Sequence, residues 1–428
     1  MMIDLNSEKK KILIITRYFL PYFPSMGGVM RVFTLANYFT RMGLEVHILT
    51  GLGKYYGYFG YEYLTTLINI KYVGKSEGFF EKQFESKSET TLFKSIPLKS
   101  INLFRSLLER LSVPDKNIFY VNLFHREALC MISENNIKNV FISSPPHSMQ
   151  LIGYLLKKDL KTKINIIADY RDSWNTTSIF KHKTYLGFML SKRYEKKILL
   201  SCDKFTYVSE PILNKVEKLH NIEIRDKSYL VMNGYNGLYS DNDSVVEEKD
   251  ATKIKVGYFG NLNSGKKSYR DITNLIHILL NNEALAEKFE FYFYGSIKIK
   301  HPGVSALKGF HINQPLSHEE AIEKMREMDY LMIVHSDPAS SDEVITGKFF
   351  EYIAVRKPII CLAPLCTEAG RLVEKYQIGI HIDLCNMESL RSALLKITKP
   401  GPRQFYSDLD TSIFSRDIQY SKLLKLLN

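Results

Sequence analysis

No apolar run in this 428-residue chain approaches the length of about eighteen residues that a membrane-spanning helix needs. Cysteine is scarce. The five present (Cys130, Cys202, Cys361, Cys366 and Cys385) form no C-x-x-C pair. An odd number in mostly apolar settings reads as free thiols in a reducing compartment. No His/Cys cluster has zinc spacing, and no Asp-x-Asp of the divalent-ion type stands at a strand end, so no metal is expected. Nothing has the pattern of a helix-turn-helix, an RNP motif or a zinc finger, which leaves nucleic acid off the expected partners. The N-terminal Lys9-Lys10-Lys11 and Ile12–Ile15 have too short an apolar core for a signal peptide. Arg17 interrupts that core and no small-residue cleavage site follows, so a first buried strand is the better reading.

What is present is charge of one sign in one half. The net charge of +12 divides unevenly: residues 1–235 hold 34 Lys+Arg against 21 Asp+Glu, and residues 236–428 hold 24 against 25. The basic half is therefore expected to meet an anionic partner, either an acidic acceptor or an anionic membrane face. The segment 93–111 is basic and amphipathic at helical spacing after Pro97. It fits either a membrane-surface helix or a core-facing helix with a solvated basic face.

Short apolar strands alternate with helical stretches twice over. Strands are expected at 12–16, 45–50, 139–143, 165–169 and 204–208, with helices at 29–42, 148–159, 184–200 and 210–219. After a polar stretch at 241–253 the pattern restarts, with strands at 255–260, 290–294, 330–334 and 358–362 and helices at 269–281 and 317–327. This spells α/β, as two doubly wound parallel-sheet units. The expected domains are 1–235 and 236–405, with a closing helix in 406–428. Two such units generally leave a cleft at the C-terminal ends of their strands.

The residues with chemical promise stand at those strand ends. Ser341–Ala354 places Glu343 and Glu351 eight positions apart around Thr346-Gly347-Lys348. A strand, a glycine turn and a helix start aim backbone N–H groups and the positive helix end at one spot, which suits a phosphate. A nearby carboxylate accepts both hydroxyls of a ribose. The plain alternative is a solvated helix with a Lys348/Glu351 pair. Met26-Gly27-Gly28-Val29-Met30-Arg31 lets backbone approach a ligand before a helix, or is simply a tight turn. Ser143-Ser144-Pro145-Pro146-His147-Ser148 holds His147 on a stiff loop. Ala168–Trp174 carries Asp169, Arg171 and Asp172 beside the only Trp. There Asp169 or Asp172 either contacts an acceptor or braces the cleft, and Arg171 either joins them or forms an ion-pair corner. Gly257–Arg270 is nearly a Walker A, but Lys267 stands where Ser or Thr must hold magnesium. Gly51-Leu52-Gly53 lacks the last glycine of a dinucleotide fingerprint, since Tyr56 occupies that position.

In order, these segments resemble the landmarks of retaining glycosyltransferases with two Rossmann-like domains facing each other across a cleft (the GT-B fold, family 4 type), and especially a subgroup active in surface-polysaccharide assembly. The resemblance implies a metal-independent hexosyltransferase-like enzyme moving a sugar from a UDP- or GDP-linked donor to a glycan or lipid-linked glycan. It implies that Glu351 holds the ribose and that Lys348, Thr346, Gly347 and the Gly260-Asn261 loop hold the diphosphate. A basic residue among Lys266, Lys267 and Arg270 would help there. Glu343 would approach the donor sugar, and His147 with Gly27 and Gly28 would complete the site from the first unit. The family often has Arg near position 261, where this chain has Asn261. The implied location is the cytoplasm, free or peripheral on the inner membrane face. Two other readings stand beside it: a sugar-nucleotide epimerase of the same fold, and a non-catalytic nucleotide-sugar or glycan-binding protein.

Overall fold

The computed structural model describes residues 9–23, 26–57, 62, 66–74, 112–177, 182, 184–237, 253–264, 268–337, 342–399, 405–407 and 409–428. It divides into two compact units, Met1–Val231 with Tyr420–Asn428, and Met232–Gln419. The amphipathic segment 93–111 and nearly all of the polar stretch 241–253 lie outside the described residues.

The first unit is built on β1 (Lys11–Ile15), β2 (Glu45–Gly51), β3 (Asn69–Val73), β4 (Asn139–Ser144), β5 (Asn165–Tyr170), β6 (Lys204–Tyr207) and β7 (Ser228–Leu230). They lie in the order β3-β2-β1-β4-β5-β6-β7, with each neighbouring pair parallel. Helices α1 (Met26–Arg41), α2 (Val121–Asn135), α3 (Gln150–Leu160), α4 (Tyr185–Ser201) and α5 (Glu210–His220) connect them. Strand β1 shows why its run is apolar throughout. Ile12 and Ile14 pack into a core with Val29, Val32 and Leu35 of α1, whereas Leu13 and Ile15 pack into another with Phe124 and Ala128 of α2. A parallel strand buried on both faces has no polar side to alternate with.

The second unit contains β8 (Ile254–Phe259), β9 (Leu262–Ser264), β10 (Phe289–Tyr294), β11 (Ile297–Ile299), β12 (Phe310–Asn313), β13 (Tyr330–Val334), β14 (Ile359–Leu362) and β15 (Gly379–Ile382). Six of them form a sheet in the order β12-β10-β8-β13-β14-β15, parallel throughout. The chain breaks after β8 at Gly260 and after β10 at Gly295, both at positive φ. It then re-pairs as the small parallel sheet β9–β11. The helices here are α6 (Thr273–Leu280), α7 (Glu283–Ala286), α8 (His318–Arg326), α9 (Gly347–Ala354), α10 (Glu368–Lys375) and α11 (Met387–Ile397). A last helix, α12 (Arg416–Leu424), runs from the second unit into the first. Beyond it the terminus is held by Asn139, which accepts from the Asn428 amide at 2.9 Å, and by Asn165, which donates to Leu426 at 2.9 Å. Both units are thus α/β and doubly wound. Among the described residues no helix is long and apolar enough to cross a membrane.

Two expected boundaries move. Helix α1 begins at Met26, so Gly27 and Gly28 occupy its first turn rather than a loop before it. The helix expected from residue 269 begins at Thr273. The chain before it is tied down as a loop: Ser336 Oγ donates to Ser268 O at 2.9 Å and accepts the Asp271 amide at 2.9 Å.

Candidate functional site

In the second unit, the sheet brings the ends of β8 and β13 beside the start of α9. Thr346 is the N-cap of α9, with extended backbone (φ −72°, ψ 157°), but its side chain makes no capping bond. Its buried hydroxyl has no partner among the described residues. A threonine in this position ordinarily accepts an N–H of the first turn, worth about 1 kcal/mol. Here the Phe349 N–H turns back to the Thr346 carbonyl at 3.1 Å, and the hydroxyl is left to something else, at the helix end that favours negative charge.

Lys348, the second residue of α9, is half-buried. Its Nζ donates to the Tyr258 hydroxyl at 2.9 Å and lies 4.0 Å from the centroid of that ring. No carboxylate forms an ion pair with it among the described residues. Burial first, and then the Arg270 charge, pull this ammonium down to about 7, with Glu351 working in the opposite sense. Arg270 donates to the Asn261 carbonyl at 2.7 Å, and the same carbonyl accepts from Tyr258 at 2.9 Å. Tyr258, Asn261, Arg270 and Lys348 are therefore one linked group. The guanidinium reaches the Asn261 turn from nine residues further along, near the place where the resemblance expected an arginine side chain. Lys266 and Lys267 lie outside the described residues, as does Gly265. Glu351 is half-buried on α9 and Glu343 is buried.

Gly260 makes the approach of Lys348 possible. At φ +118° a Cβ built there would lie 2.6 Å from Lys348 Cε and 2.9 Å from its Nζ. Gly260→Ala is expected to cost about 1–2 kcal/mol from backbone strain alone and to displace the ammonium. Chemical denaturation, read together with anion binding to the variant, checks both.

The structure adds a residue that sequence reasoning passed over. His335 follows β13 directly and is buried, and its Nε2 has no partner among the described residues. Burial, reinforced by the Arg270 and Lys348 charges, lowers it to about 4, so it is a neutral imidazole at pH 7. The available signal was its position at the C-terminal end of a parallel strand, where ligands bind in open α/β sheets.

In the first unit, Arg171 gathers three of the singled-out segments. It donates to Ser144 O at 3.2 Å, to Pro145 O at 2.7 Å and to Gly28 O, joining the Pro145-Pro146 loop to the first turn of α1. Of the two roles left open for Asp169, the geometry is that of a brace. Its carboxylate is fully buried and accepts Arg31 at 2.7 and 3.2 Å, Ser143 at 2.9 Å and Thr206 at 2.9 Å. Asp172 is exposed beside Arg171. His147 opens a short 3-10 turn (His147–Met149) and is buried. Its ring stacks on Trp174 with centroids 5.2 Å apart and planes 7° apart. Burial lowers it to about 4; Asp115 opposes that shift, and Arg171 and His182 add to it. The imidazole is neutral at pH 7.

No protein-family model and no curated protein matches the chain. Solved structures do. The N-terminal domain of trehalose-6-phosphate phosphatase from Candida albicans covers 100% of this chain and 98% of its own, at 11% identity and TM-score 0.62. An α,α-trehalose-phosphate synthase (UDP-forming) from Burkholderia xenovorans, in complex with glucose-6-phosphate, covers 98% of this chain and 100% of its own, at 8% identity and TM-score 0.60. A protein described as a UDP-N-acetylglucosamine 2-epimerase from Listeria monocytogenes covers 97% and 95%, at 10% identity and TM-score 0.52. The fold is GT-B. At these identities the likeness speaks for the fold, and a GT-B fold serves unlike chemistries.

Proposed function

We propose that this GT-B chain is a metal-independent, retaining glycosyltransferase that takes a nucleotide-linked sugar as donor and passes the sugar to a glycan or lipid-linked glycan, in surface-polysaccharide assembly. One observation carries the reading: Lys348, Arg270, the start of α9 and the His335 and Thr346 side chains, which have no partner among the described residues, form a hydrogen-bond-donating set in which no described carboxylate is ion-paired to Lys348. A nucleoside diphosphate supplies what that set lacks. When the bond between sugar and β-phosphate breaks, the electron pair and its charge go to the diphosphate. Fixed donors aimed at that charge lower the barrier without a metal ion. Glu351 takes the ribose hydroxyls and Glu343 lies toward the sugar. The backbone at Gly260 and Gly347 lets the phosphates approach. In the first unit, His147, Gly27 and Gly28 are assigned to the transferred sugar, and Asp172 with Arg171 to the acceptor.

Glu351→Ala is the direct test of the donor site. Donor affinity measured by calorimetry is expected to fall by about tenfold or more, the value of a lost charge-assisted pair of hydrogen bonds. Unchanged affinity would remove the assignment. The Listeria structure favours a second reading, a sugar-nucleotide epimerase of the same fold. Incubation with UDP-sugars alone separates the two: an epimerase yields an isomerised sugar nucleotide, whereas a transferase leaves the donor unchanged without an acceptor. Ranking nucleotide sugars by thermal shift identifies base and sugar, since a ligand at a hundred times its Kd adds about 2.7 kcal/mol.

A further inference from the structure

Helix α4 buries polar side chains and exposes apolar ones. Its buried face carries Gly187, Ser191, Glu195, Ile198 and Leu199. The two polar residues there are bonded internally: Ser191 accepts the Trp174 indole N–H at 2.9 Å, and the fully buried Glu195 accepts His220 at 2.8 Å and Asn175 at 2.7 Å. Its outer face carries Tyr185 (78% exposed), Leu186 (78%), Met189 (43%), Leu190 (39%) and Leu200 (56%). The fold gains nothing from these apolar groups in water. At 3.6 residues per turn they fall, with the exposed Arg193 and Lys197, within an arc of about 140°. Single exposed apolar residues are ordinary, but four in the first two turns of one helix form a patch.

Charge indicates what covers it. The helix holds Lys192, Arg193, Lys196 and Lys197 against one acid, Glu195, which is buried and paired. Apolar groups on the first two turns followed by cations on the next two make the pattern of a helix lying in a bilayer interface: the apolar groups enter the acyl boundary and the long basic side chains reach anionic headgroups. A protein partner of this apolar size would ordinarily meet fewer charges at the patch.

We propose that the outer face of α4 is a docking surface for an anionic lipid bilayer. The proposal is independent of the donor reading, because it is tested without nucleotide. The full chain is floated with vesicles of phosphatidylcholine alone and of phosphatidylcholine with about 30% phosphatidylglycerol, at low and high salt. The unaltered protein is expected to float with the anionic vesicles, more at low salt. The combined variant Leu186→Ser, Met189→Ser, Leu190→Ser changes exposed positions only and should keep its thermal midpoint. It is expected to lose about tenfold in partitioning at both salt concentrations. Arg193→Gln with Lys197→Gln is expected to weaken binding to the anionic vesicles and flatten its salt dependence. Serine variants that float like the unaltered chain, or an unaltered chain that ignores both vesicles, overturn the proposal. So does self-association in solution that the serine variant abolishes while flotation stays unchanged, because the patch then serves a second copy.

Discussion

Lys348→Met is expected to lower turnover by about 10²–10³-fold, the usual cost of removing one fixed donor from developing charge, while leaving the protein at least as stable as before. The two effects have one cause. The ammonium is half-buried against Tyr258, near Arg270 and without an ion-pair partner among the described residues, and it is held down to about 7. Its protonated form is thus disfavoured by the fold and favoured by an anionic ligand. The pH dependences run in opposite senses. Between about pH 7 and the ordinary lysine range the unfolded chain binds the proton that the folded chain has released, so this group makes stability rise with pH. Diphosphate affinity falls over the same range, by about tenfold per pH unit above 7, because the ligand must first restore the proton. Calorimetry in buffers of different ionisation enthalpy reads that uptake directly. In Lys348→Met both dependences should flatten. A variant that keeps the pH slope of anion binding assigns the slope to another group.

Asp169→Ala is expected to cost about 3–5 kcal/mol in urea unfolding, since it strands the buried Arg31 guanidinium without its carboxylate. The two Arg31 bonds, Ser143 and Thr206 all end on Asp169, and these residues lie on α1, β4 and β6 around β5. Removing both charges in Arg31→Met with Asp169→Ala should cost less than the sum of the single changes, because no buried charge is then left alone. A substrate-binding role for Asp169 predicts something else: normal stability with weakened acceptor use.

Much of the fold was legible because parallel strands buried on both faces are written as unbroken apolar runs. Ile12–Ile15, Tyr330–Val334 and Ile359–Leu362 could be placed to within a residue or so on that ground. Strands β3, β7, β9, β11, β12 and β15 were passed over. Asn69–Val73 and Phe310–Asn313 lie at sheet edges and carry exposed or half-exposed residues, and so does Gly379–Ile382. Their runs are therefore mixed. Gly27 and Gly28 read as a loop because glycine is poor inside helices. Their place in the first turn of α1 goes with a contact no local rule sees, the Arg171 bond to the Gly28 carbonyl.

By itself the sequence determined the α/β class, its doubling, and the strand-end position of Glu343, Lys348 and Glu351, because hydrophobic periodicity and glycine turns are local properties. Tertiary structure decided what each side chain meets. Only packing turned Lys348 onto Tyr258, brought Arg270 to the Asn261 turn, left the buried His335 Nε2 without a partner among the described residues, and spent Asp169 on Arg31. It also turned Ser191 and Glu195 of α4 inward and Leu186, Leu190 and Leu200 outward. Those outcomes depend on groups as many as 138 positions apart, and the free energy that selects them is the cost of burying charge and polarity, which appears only once the chain has closed around it.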